Sequence, residues 1–230
     1  MIDDIIKKLE IDSNCELSVE ELKTLYEIDT TIYMDLNSYT EKRNNYEDFC
    51  KIFGKKCVAR TSKDVNENTI CYIGDLLLEY NMPTYNLRYV YGSIDCWFDE
   101  IKNLENLEVV YENVDFDYLK DYKNLDNLRK VGKKFSLNYV EKGDFYSLEY
   151  VNTLLLVGVE CAKDIIMPEY VNILWLPLLN TNKGLVLPKV LKQLYILDEK
   201  ILDNLELPES LELIQLGGKK IELKNKIKKK

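Results

Sequence analysis

The stretch LPKVLKQLYILDEKILDNLELPESLELIQLGG, residues 187–218, decides how this chain folds. Pro188 and Pro208 open near-copies of one another, and Pro168 precedes Pro188 by the same interval. Counting from each proline, the third position holds Val171, Leu191 and Leu211, the sixth Leu174, Leu194 and Ile214, and the eighth Leu176, Ile196 and Leu216. That is LxxLxL three times in register. Met167, Leu187 and Leu207 precede the prolines, and Ile165, Leu185 and Leu205 stand two residues earlier again. One unit further back Leu148 takes the place of the proline, followed by Val151, Leu154 and Leu156. Leu128 with Val131, Leu107 with Val110, and Leu87 with Val90 carry a weaker form of the pattern toward the N-terminus, in less even units that open at Leu125, Leu104 and Thr84. Internal repetition of this kind is the signature of a stacked-repeat architecture.

A proline recurring at the start of each unit leaves no long helix on which LxxLxL could be one face. The motif reads as a short strand whose leucines point one way. A single unit cannot bury that apolar face. Stacked units bury it continuously, strand beside strand. Each leucine so buried contributes about 1.5–3 kcal/mol. Seven strands at a spacing of roughly 4.8 Å make a parallel ladder about 30 Å long.

The units resemble leucine-rich repeats of the short, proline-containing kind. LPESLELIQLGG is similar to the LPxSLxxLxLG unit of FNIP-type repeats, and LPKVLKQLYI and MPEYVNILWL are similar to the LP-type units of bacterial repeat proteins. The resemblance runs from about residue 84 to the C-terminus and is strongest from Pro168 onward. It implies an α/β-type solenoid: a leucine-rich-repeat parallel β ladder with an N-terminal helical cap. One feature departs from it. The asparagine usual three residues after the last strand leucine is replaced by Asp95, Asp115, Ser136, Val159, Leu179, Glu199 and Lys219 in the frame that the prolines set.

Residues 1–56 do not repeat and read as a helical cap or accessory domain. Ile2, Ile5, Ile6 and Leu9 mark a short amphipathic helix. Ser18–Glu21 forms a capping box ahead of Leu22 and Leu25. A further helix is expected between Tyr33 and Phe53, ending at Gly54. Residues 57–83 read as a divergent first repeat or junction, with a strand around Cys71. The solenoid then occupies residues 84–223, and 224–230 are a basic, solvated tail.

Composition narrows the function. The 230 residues carry a net charge of −9 and include 46% hydrophobic residues, an ordinary globular balance. An acidic chain is a poor general binder of phosphate backbones, so direct nucleic-acid contact is not expected. There is no histidine, which excludes Ser-His-Asp and Cys-His catalysis and histidine metal ligands. The six cysteines lack CxxC spacing and read as reduced, mostly buried thiols of a cytoplasmic protein. No glycine-rich phosphate loop is present. No membrane segment, metal or cofactor is expected.

Within LxxLxL the last x points away from the core. In the proline-set frame this column reads Tyr91, Tyr111, Gly132, Leu155, Trp175, Tyr195 and Gln215. A neighbouring column reads Tyr89, Val109, Lys130, Thr153, Ile173, Gln193 and Leu213, with Arg88 and Arg129 beside it. Aromatics and arginine carry much of the energy at protein interfaces. The expectation is a non-enzymatic module that binds a protein partner through Trp175, Tyr195 and Ile173, with Leu155, Tyr111, Tyr91, Tyr89, Arg88 and Arg129 around them. The competing expectation is that these aromatics stack for strand stability, or lie under the N-terminal segment. Two other functions fit the composition: an inhibitor of an enzyme, such as a viral or mobile-element antagonist of a host defence nuclease, and an enzyme with unrecognised carboxylate chemistry.

Overall fold

The apolar residues of each unit can leave water together only if successive units lie side by side in one register, and that is the arrangement the chain adopts. The computed structural model describes residues 46–97, 103–117, 125–138 and 143–223. The expected helix around Ile2–Leu9, the capping box at Ser18–Glu21 and the tail at 224–230 lie outside these residues. The described chain is a parallel β-solenoid. Its main ladder runs β1 (Val58–Ala59), β2 (Cys71–Ile73), β4 (Tyr89–Tyr91), β6 (Val109–Val110), β8 (Lys130–Leu137), β10 (Tyr150–Leu156), β12 (Tyr170–Leu176), β13 (Val190–Ile196) and β14 (Leu213–Leu216). A second row, β3 (Leu76–Leu77), β5 (Ile94–Cys96) and β7 (Val114–Phe116), runs beside the first and merges with it in β8. On another side of the coil, β9 (Gly143–Asp144) pairs with β11 (Ile165–Ile166).

The core consists of columns. Val90, Val110, Val131, Val151, Val171 and Leu191 pair in register from strand to strand, and every one is fully or almost fully buried. A second column joins Ile94, Val114, Phe135, Leu154, Leu174, Leu194 and Ile214. Leu87, Leu107, Leu128 and Leu148 continue into the proline positions, where Pro168 and Pro188 are also buried. Phe135 lies between Phe116 and Phe145 with edge-to-face ring centroids 6.3 and 6.1 Å away.

This register corrects the one read from the prolines. That frame set Leu87, Leu107 and Leu128 against Val171. In the structure Val90, Val110 and Val131 occupy that column instead. The physical reason is plain in the sequence. The proline frame would bury Gly92, Glu112 and Lys133 at the last core position. Sliding one step places Cys96, Phe116 and Leu137 there. The earlier units also carry one more residue, as in Val90 to Ile94 against Val151 to Leu154. Strand β8 absorbs the difference: Val131 faces Val151, but Lys134 faces Thr153. Gly132 sits at this irregularity, where a Cβ would lie 2.1 Å from the Tyr111 carbonyl oxygen. Only glycine fits there.

Two side-chain ladders hold the units in register. Asn86, Asn106 and Asn127, each just before a unit's first leucine, donate Nδ2 to the carbonyls of Glu67, Tyr85 and Glu105 on the preceding turn at 2.7, 2.6 and 2.5 Å. An asparagine ladder therefore exists, at the unit start and not where leucine-rich repeats usually place it. It ends at Ser147, whose buried Oγ has no partner, and the later units carry Met167, Leu187 and Leu207 at that position. Two residues along, Arg88 pairs with Glu108, Arg129 with Glu149 at 2.9 Å, and Lys189 with Glu169 at 3.0 Å.

Helix content departs from the expected α/β type. The described residues contain a single α-helix, α1 (Tyr46–Phe53), and the arcs between strands are turns and short 3-10 segments. The helix ends at Gly54, whose φ of 83° favours glycine. It lies on the outer face of the first turns, where Phe49, Ile52 and Phe53 join Cys71, Ile73, Tyr91, Val109 and Tyr111 in a second apolar cluster. Strand β1 forms the first rung. At the other end, Gly217 with φ 55° turns the chain into β15 (Lys219–Glu222), which pairs antiparallel with β14 and sets Lys219 and Lys220 on the sheet edge. Lysines on an edge strand discourage further strand addition.

Candidate functional site: the open half of the sheet

The outer face of the ladder is divided. In the corrected register the predicted aromatic column is two columns. Tyr91 and Tyr111 stack with ring centroids 4.1 Å apart, and the column continues through Gly132 and Asn152 to Asn172 and Lys192. Asn172 donates to Asn152 Oδ1 at 2.9 Å. The other column runs Leu77, Asp95, Asp115, Ser136, Leu155, Trp175, Tyr195 and Gln215. The neighbouring column divides in the same way: Tyr89 and Val109 lead to Lys130 and Tyr150, whereas Thr153, Ile173, Gln193 and Leu213 follow Lys134.

Helix α1 covers the first half. The Phe49 ring lies 4.3 Å from that of Tyr91, and the Phe53 ring 5.7 Å from that of Tyr89. Tyr91 and Tyr111 are only 4% and 6% exposed. Burial, reinforced by Tyr111 and Cys71, pushes the Tyr91 hydroxyl well above its ordinary pKa. Burial likewise raises the Cys71 thiol, which makes it a poor nucleophile. These tyrosines belong to the packing between helix and sheet, so their expected place on a free binding face is corrected. Tyr89 is partly buried against the same cluster. Arg88 and Arg129 are engaged in the charge ladder with Glu108 and Glu149.

The second half has no such cover among the described residues. The Trp175 and Tyr195 rings stack with centroids 4.1 Å apart and planes within 6°. Trp175 is 37% exposed. Tyr195 donates its hydroxyl to Gln193 Oε1 at 3.1 Å, which fixes the ring against its neighbour. Leu155 pairs alongside Trp175 on one side, and Ile173 stands two residues before it on the same strand. Both are partly exposed. Just past the last core residue of each strand stand Val157 and Pro177, partly exposed, and Leu197, 61% exposed.

The first half of the Trp175 column is acidic. Burial, then the nearby Asp115 and Asp75, raises the Asp95 carboxyl above its ordinary pKa. Asp115 is paired with Lys134 at 2.8 Å. Among the described residues, no group of Cys, Asp and Glu side chains is placed to hold a metal ion. No described helix is long and apolar enough to cross a membrane. Cys57, Cys71 and Cys96 are buried free thiols, Cys50 is partly buried and Cys161 exposed. No known family, curated protein or solved structure matches the chain.

Proposed function

We propose that this chain is a non-enzymatic interaction module of the leucine-rich-repeat kind, binding a protein partner through the open half of its sheet face. The observation that carries the reading is the Trp175–Tyr195 stack, with Trp175 exposed and Tyr195 partly so, Leu155 beside Trp175 on the neighbouring strand and Ile173 two residues before it. A contiguous exposed apolar patch of this kind is typical of a partner site. A large aromatic already stacked in place loses little conformational freedom on binding. The net charge of −9 favours a protein over a nucleic acid as partner.

The test is affinity capture from a lysate of the native cell, comparing wild type with the Trp175→Ala, Tyr195→Ala double variant. A partner retained by the wild type and lost by the variant supports the site. A partner retained equally by both keeps a binding role and moves it off this face.

A further inference from the structure

We draw no further inference here: the strongest candidate, the open apolar half of the sheet face around the stacked Trp175 and Tyr195, belongs to the site already described, and nothing in the structure shows what covers it.

Discussion

Leu174 and Trp175 are neighbours on β12 that face opposite sides of the sheet, so alanine at each should have very different costs. Leu174 is fully buried in the column between Leu154 and Leu194. Truncating it removes three carbons from a closed interior, and such Leu→Ala changes cost about 2–5 kcal/mol. The rungs on either side hold the site open, so a value in the upper part of that range is expected. Trp175 is partly exposed and touches one stacked ring. Its loss removes a stacking contribution of about 0.5–1.5 kcal/mol together with a fraction of an area term. The ratio should exceed about twofold. Urea denaturation followed by far-ultraviolet circular dichroism reads both variants without relying on tryptophan emission. Equal losses, or a Leu174→Ala loss under about 1 kcal/mol, would refute the assignment of faces on this strand.

Further outcomes follow from the covered half and the junction. Phe49→Ala with Phe53→Ala should release α1 from Tyr91 and Tyr89, and the Cys71 thiol, buried beneath the same cluster, should then react with a thiol reagent under native conditions. A thiol as slow as in wild type would contradict the covering role. Gly132→Ala should cost about 1–3 kcal/mol in thermal unfolding, because the new methyl meets the Tyr111 carbonyl. An unchanged melting temperature would show that β8 can shift freely. Asp95→Asn should stabilise the fold at pH 7 by about 0.2–1 kcal/mol, the scale of a like-charge pair across strands. The raised carboxyl binds its proton more tightly in the folded state. Its contribution to stability is therefore complete below the unfolded pKa near 3.9 and is lost as pH rises through the folded value. The variant's advantage should vanish at low pH, and a constant advantage would contradict the sign.

The last units were legible because proline recurs at a constant interval and the strand leucines follow it without interruption. The structure keeps those pairings residue for residue from Val171 to Ile214. The first three units misled for a physical reason. They begin with Asn–Leu instead of proline and carry one more residue before the next core position, so a frame extended from the C-terminus slips by one LxxL step. Glu112 and Lys133 at supposed core positions were the available warning. The slip merged two columns and placed Tyr91 and Tyr111 beside Trp175, although they stand on different tracks. Their covering by α1 depends on contacts between residues far apart in the chain, such as Phe49 with Tyr91, which no local pattern encodes. Trp175, Tyr195, Ile173 and Leu155 stand on the outer face as read because their units were in register.

The central claim is that partners meet the open half of the face and not the half beneath α1. Hydroxyl-radical footprinting of the free chain and of its captured complex tests this most directly. The account predicts strong oxidation of Trp175, Tyr195 and Leu197 in the free chain, a marked fall at Trp175 and Tyr195 in the complex, and low, unchanged oxidation of Tyr91 and Tyr111 in both. Trp175 oxidised equally in both states, with protection appearing elsewhere, would contradict it.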